Sequence, residues 1–351
     1  MDIKDADFVP LHFLNRSTII YGSSGGGKTK TTQNILNALA SKLLYLYVFT
    51  NGAGSESIFA KYTPKVLIDD KVNIKTIKSI WERQKMLTDI YKKANNLELL
   101  ESLYSKIKSS SVEKKIGEIK GAKEEIRQKV SKQKHLNKSE KKAIIKTAHD
   151  ALDDASKSIY KKAIIKNYDD IKEAELNEDQ KYALKYANLL EPNMAMVFDD
   201  VSSELTELKP KDKAVIYDIM TKCRHHHTTV VITVHDDTAL CKKIRAQAFN
   251  SIFCGLDKLE CYFNKKNTGI IITAKERNAF KRFFSENKDK KILYVREEMQ
   301  FYSLTVNFEI EPRTIGNSII LAFCNMIEDT NICIKRQNKF YKNFSLSAHG
   351  V

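Results

Sequence analysis

The run Gly22-Ser23-Ser24-Gly25-Gly26-Gly27-Lys28-Thr29 constrains this chain more than any other stretch. Its spacing fits G-x-x-x-x-G-K-[ST], a phosphate-binding loop. Glycines let successive backbone N–H groups curl inward around an anion, where a Cβ would obstruct them. The flanks point to a fold. Ser17–Tyr21 is apolar and β-rich, a strand leading in; residues 30–43 carry Ile35, Leu36, Leu39 and Leu43 at helical spacing, a helix leading out. Strand, loop and helix in that order put a helix N-terminus and its dipole behind the phosphates. The ligand this predicts is a nucleoside triphosphate, cradled by Gly22, Ser23, Ser24, Gly25, Gly26, Gly27, Lys28, Thr29 and Lys30. Lys28 is expected to reach the β- and γ-phosphates, and the Thr29 hydroxyl to ligate Mg2+.

A phosphate-binding loop names a ligand and not a reaction. The second element is Met194-Ala195-Met196-Val197-Phe198-Asp199-Asp200, an apolar strand that ends in two carboxylates. Asp199 is placed to hold the Mg2+ hydration shell, and Asp200 to orient or deprotonate an attacking water. A third element, Thr228–Val234, is a strong central-strand signal ending at His235, with Thr233 just before it. In open α/β sheets ligands sit at the carboxyl ends of the strands. His235 can therefore sense the γ-phosphate or the lytic water, or it can simply cap the next turn. The triplet His225-His226-His227 has no Cys or Asp partner at ligand spacing, so it reads as a basic loop and not a zinc site.

Three regions follow from texture: an α/β segment over 1–80, a Lys-rich helical insertion over 81–187, and a second α/β segment over 188–351. Strands are expected at 44–50, 65–68, 251–254, 269–273 and 291–295, with helices at 211–223, 238–246 and 275–284. The insertion has two glycines, Gly117 and Gly121, and no proline, with apolar residues at helical spacing. That pattern predicts an antiparallel helical hairpin or a small helical subdomain.

The net charge of +15 calls for an anionic partner: nucleic acid first, an acidic membrane surface second, or merely a lysine-biased composition. None of the six cysteines forms a C-x-x-C pair, which argues against zinc and disulfides and for a reducing compartment. The acidic amino terminus has no apolar signal core, and no apolar run approaches the roughly 20 residues that span a bilayer. A soluble protein is expected.

Taken together these segments resemble the genome-packaging ATPases of large cytoplasmic DNA viruses, in the FtsK/HerA branch of P-loop motors. The likeness lies in residues 21–29 as the Walker A motif, 197–204 as Walker B and 233–237 as the sensor strand. It continues through Lys243-Ile244-Arg245, residues 248–253, Tyr262-Phe263-Asn264-Lys265-Lys266 and residues 291–297, leaving the insertion unmatched. The chain has Asp-Asp where cellular members often have Asp-Glu, and His235 where they commonly place Gln. The resemblance implies a RecA-like α/β fold with a mostly parallel central sheet. It also implies Mg2+-dependent ATP hydrolysis in a homo-oligomeric ring, pentamer or hexamer, that drives double-stranded DNA into a capsid. A capsid or vertex protein would be the docking partner, with the host cytoplasm at the viral assembly site, and the virion, as locations. Arg245 is the first candidate for an arginine completing a neighbour's site, with Arg296 second and Arg224 a third. Phosphate-backbone contacts are expected from the insertion or from Lys275, Arg277, Lys281 and Arg282; the insertion serves equally well as a docking hairpin. Other readings are a helicase-like ATPase, a small-molecule kinase, or a nucleotide binder that does not hydrolyse.

Overall fold

The computed structural model describes residues 3–107, 110–187, 189–235, 240–263 and 272–316. The chain divides into two compact units. The first holds a nine-stranded sheet built from β1 (Lys4–Ala6), β2 (Ser17–Tyr21), β3 (Tyr45–Thr50), β4 (Ile68–Asp69), β5 (Met194–Asp199), β6 (Thr228–Val234), β7 (Asn250–Phe253), β8 (Lys290–Val295) and β9 (Gln300–Thr305). Their order is β1-β9-β8-β7-β2-β6-β5-β3-β4. Every pairing from β7 to β4 is parallel, and β8 alone runs against its neighbours. This is the α/β class with a mostly parallel sheet that the sequence predicts.

The central strands are buried along their whole length, as near-continuous apolar runs require when both faces of a parallel sheet are covered. On one face Ile20, Val48, Val197, Val231 and Ile252 pack against Ile35, Leu36 and Leu39 of the helix Lys28–Leu39. Residues of alternate parity point the other way. There the Arg83 guanidinium lies 4.7 Å over the Tyr45 ring, and Trp81 Nε1 donates to Asp218 at 2.8 Å. Gln84 donates to the carbonyls of Pro192 and His226. Ile77, Ile80, Trp81 and Gln84 thus belong to the sheet's own packing, and the second unit begins later than residue 81.

Several element boundaries differ from expectation. The helix after the glycine loop stops at Leu39, because Lys42 and Leu43 donate back to the Leu39 carbonyl in a closing turn. Residues 65–67 form a 3-10 turn after Pro64, leaving only Ile68–Asp69 as strand. Of the helix expected at 238–246, Lys242–Arg245 forms; residues 236–239 and 264–271, the latter including 269–271 of the strand expected at 269–273, lie outside the described residues, and Ile272 and Thr273 are not strand. Cys324 and Cys333 also lie outside.

The second unit, residues 87–191, is helical. Ser110–Lys132 and Lys138–Lys166 run antiparallel, as Lys123 beside Asp153 and Lys141 bonded to the Ser131 carbonyl require. Leu100, Leu103, Tyr160, Ala163, Ile164 and Leu184 make its core, all at the end of the hairpin away from its turn. At the turn Asn137 and Glu140 close a capping box that starts the second long helix. Among the described residues no helix is long and apolar enough to cross a membrane.

Leu36 is fully buried between the phosphate-loop helix and the sheet. Leu36→Ala should cost about 2–5 kcal/mol. A urea titration should show a lower midpoint with an unchanged slope; a midpoint equal to wild type would contradict this packing.

Candidate active site

Register brings the strand ends level. Tyr21 pairs with Val234 and with Phe253, and Thr50 with Asp199, so the carboxyl ends of β2, β3, β5, β6 and β7 form one edge. Because β6 sits between β2 and β5, everything that follows those strands converges there.

The glycine loop spans residues 22–27, with Gly25 and Gly27 at φ of 72° and 91°. A Cβ on Gly22 would lie 2.8 Å from the Cys254 Cβ, and one on Gly26 would lie 3.0 Å from the Ser23 carbonyl oxygen. The loop is therefore as tight as the motif implies, closed from behind by Cys254 at the end of β7. Burial pushes the Cys254 thiol up to about 11, so it stays neutral beside the cradle. Lys28 is buried, its ammonium donating to the carbonyls of Gly22 at 2.9 Å and Ser23 at 3.1 Å. Burial lowers its pKa, with Asp200 and Asp199 pulling the other way.

Asp199 is 1% exposed. Thr233 Oγ1 donates to its Oδ1 at 2.9 Å; Ser55 Oγ and Thr29 Oγ1 donate to its Oδ2 at 3.0 and 3.3 Å. Burial nonetheless raises its pKa, with the hydroxyl donors opposing and Asp200 adding to the rise. A buried carboxylate that three neutral donors compensate only in part, beside a threonine hydroxyl, is an all-oxygen set. Such a set suits a hard cation like Mg2+. Ser55 carries no motif and is not legible in the sequence; it reaches Asp199 from the helix Ala53–Phe59 that follows β3.

Asp200 is exposed and has a left-handed backbone, φ 58°. Its N–H donates to Thr233 Oγ1 at 2.9 Å. One hydroxyl thus accepts from Asp200 and donates to Asp199, spacing the two acids. The His235 ring joins the other parts: Nε2 lies 2.5 Å from Asp200 Oδ1, and Nδ1 lies 3.3 Å from Lys28 Nζ. An ammonium can only donate, so Nδ1 is the bare nitrogen and Nε2–H points to Asp200. The geometry thus places the His235 ring at the loop, between Lys28 and Asp200.

The structure brings Lys28, Thr29, Asp199, Asp200 and His235 together, with Lys30 in the first turn of the helix, where its carbonyl accepts from Asn34. It does not bring the arginines there. Arg245 precedes β7, at the amino edge of the parallel strands. Arg296 donates to the carbonyls of Ala246 and Arg245 and to the Tyr262 hydroxyl, a local tie. Arg224 pairs with Glu297 on the surface, and Arg277 and Arg282 with Glu260 and Glu286. In the histidine triplet the His226 ring meets Trp81 edge-on at 5.1 Å, and His227 takes a left-handed turn before β6. Asp236 and Asp237 lie outside the described residues.

No protein-family model matches the chain. It is similar to "Uncharacterized protein B354L" of African swine fever virus. With isolate Pig/Kenya/KEN-50/1950 it shares 26% identity over 361 residues, covering 98% of this chain and 97% of that protein. Isolate Tick/Malawi/Lil 20-1/1983 gives the same figures. Among solved structures it is similar to EssC (ATPases 2 and 3) from Geobacillus thermodenitrificans, with TM-score 0.39 and 13% identity over 94% of this chain and 45% of that one. The plasmid coupling protein TrwB in complex with ADP and Mg2+ gives TM-score 0.38 and 9% identity over 90% and 92%. The Type VII secretion ATPase EccC of Thermomonospora curvata gives 0.36 and 12%; the chain covers only 28% of its length. At these scores the structural likenesses carry no argument about chemistry.

The raised pKa of Asp199 has a sign. Without metal its charge opposes folding, so stability should fall as pH rises through its folded pKa and be restored below the unfolded one. Asp199→Asn should remove that loss, raising the thermal midpoint of the metal-free protein at neutral pH and abolishing any upward shift on adding Mg2+ with ATP. A lower midpoint, or an intact Mg2+-ATP shift, would contradict the assignment.

Proposed function

We propose that this chain is a Mg2+-dependent ATPase that translocates double-stranded DNA, works as a homo-oligomeric ring and packages a viral genome into its capsid. The observation that carries the hydrolytic part is the line Lys28–His235–Asp200 set beside Thr29–Asp199 along one sheet edge. Lys28 is already directed at the loop and exchanges its carbonyl acceptors for phosphate oxygens. Asp200 takes the proton of, or orients, a water approaching the γ-phosphate, and His235 holds that carboxylate at one oxygen. Thr29 and Asp199 would hold Mg2+, which offsets charge on the phosphate oxygens when bound. An exposed acid poised beside the loop suits hydrolysis better than nucleotide retention alone.

The DNA part is supported by where the charge lies. Between Arg127 and Lys146, around the hairpin turn, stand eight lysines and arginines against one acid, Glu140. That acid is turned to the backbone N–H of Asn137. Asp150, Asp153 and Asp154 lie further from the turn. A segregated cationic tip without aromatic side chains between its lysines fits the phosphates of a duplex better than stacked single-strand bases. The helix Ala274–Glu286 offers less, because Arg277 and Arg282 are paired within the chain. The packaging role is supported by the viral relative and by the likeness of residues 21–29, 197–204 and 233–237 to packaging motors. Arg245, at the far edge of the sheet, would complete a neighbouring subunit's site.

Steady-state ATP hydrolysis with Mg2+ tests this, without nucleic acid, with duplex DNA and with single strands. Duplex should stimulate most, and salt should weaken the effect. Lys28→Ala should abolish turnover, while Asp200→Asn should bind ATP and lower kcat by at least ~100-fold, the scale of lost general-base catalysis. Turnover indifferent to any nucleic acid would remove DNA from the account; turnover requiring a small acceptor would indicate a kinase.

Replacing Lys132, Lys134, Lys138 and Lys142 together by Glu should leave DNA-free turnover intact and lose stimulation by duplex. Full stimulation in that variant would move the DNA contact away from the hairpin turn.

A further inference from the structure

After β9 the chain does not leave the sheet. Residues 306–316 run along the helix Lys28–Leu39 as a strap, and two asparagines one turn apart fasten it. Asn34 Nδ2 donates to the Asn307 carbonyl at 3.0 Å, and its Oδ1 accepts from the Asn307 N–H at 3.1 Å. Asn37 Nδ2 donates to the Glu311 carbonyl at 2.6 Å, and its Oδ1 accepts from the Arg313 N–H at 3.1 Å. Each carboxamide offers one donor and one acceptor to main chain, the pairing a peptide group would make. The strap is also anchored at its ends. Val306 N–H donates to the Asp289 carbonyl at 2.9 Å, and Ile315, 1% exposed, donates to the Tyr62 carbonyl at 2.8 Å.

Held between these anchors, Phe308 leaves 43% of its surface in solvent. It does so beside the glycine cradle: a Cβ built on Gly27 would meet Phe308 Cε1 at 3.6 Å and Cζ at 3.7 Å. The Lys291 stem lies 3.4 Å from the same point. A large ring is thus kept partly bare beside the phosphate loop, on a backbone hydrogen-bonded on both sides of it.

We propose that Phe308 is the platform on which the nucleobase stacks, and that the Asn34–Asn37 fastening sets its distance from the phosphate loop. The inference rests on the nucleotide-binding reading and deepens it by naming the site's substrate class. An aromatic face gains most from the larger π-surfaces and does not read hydrogen-bonding edges. The site therefore takes purine nucleoside triphosphates, ATP and GTP alike, ahead of UTP or CTP.

Equilibrium binding of ATP and of inorganic tripolyphosphate to the full chain tests this, in wild type, Phe308→Ala, Phe308→Trp and Asn34→Ala. Tripolyphosphate makes the loop contacts and has no base. Phe308→Ala should weaken ATP roughly 10- to 100-fold, the size of one lost base–aromatic stack, and leave tripolyphosphate unchanged. Phe308→Trp should restore ATP, and Asn34→Ala, by releasing the strap, should behave like Phe308→Ala. Unchanged ATP affinity in Phe308→Ala would overturn the proposal, as would equal weakening of both ligands. If wild type binds tripolyphosphate but gains nothing from the base, the platform alone fails. If it binds neither ligand, the nucleotide reading fails and takes the platform with it.

Discussion

A carboxylate removed almost wholly from water has to be met by donors, and Asp199 is met from three separate places. Thr29 comes from the helix after β2, Ser55 from the helix after β3, and Thr233 from β6 itself. The observed order β2-β6-β5-β3 is what brings those three to one side chain on β5. Strand order and site chemistry are therefore one constraint. Thr233 extends it, because the hydroxyl that serves Asp199 also accepts the Asp200 N–H. What the hydroxyls leave uncompensated is negative charge, and that remainder is what suits the place to a divalent cation.

How much of this was legible from residues alone depended on sequence distance. Lys28 and Thr29 were readable from the spacing of the glycine loop, and Asp199, Asp200 and His235 because each ends or follows a largely apolar strand. A strand that must be buried on both faces has few other ways to be spelled. Ser55 was not readable: its partner is 144 residues away and nothing local marks it. The Asn34 and Asn37 contacts with the strap span 273 to 276 residues, and in a helix both asparagines look like ordinary polar positions. The edge strands escaped for a different reason. Lys4-Asp5-Ala6 has no apolar pattern and becomes strand only because β9 offers it a ladder. In turn β9 depends on folding back against β8. Residues 65–68, by contrast, had the composition of a strand, and Pro64 diverted most of them into a turn.

The net charge of +15 said that an anion matters and nothing about where. Placement in the two units supplies the rest. In the helical unit the apolar residues gather at one end of the hairpin, and the lysines at its turn, where no packing demands them. In the sheet unit several cations are already engaged: Arg296 with carbonyls, Arg277 and Arg282 with glutamates, Lys28 with its own loop. The regions differ in how acids are interspersed: one acid, Glu140, stands among eight cations around the hairpin turn, while the helix Ala274–Glu286 carries Glu276 and Glu286 beside four.

The left-handed backbone at Asp200 carries a consequence for which acid can stand there. A φ of 58° is uncommon outside glycine, and Asp and Asn tolerate it several-fold better than longer or branched residues. Glutamate would sit poorly in that pose. Aspartate fits it, and the imidazole of His235, 2.5 Å from its oxygen, extends it by a hydrogen-bonded ring. A short arm with a wrist therefore stands beside the loop.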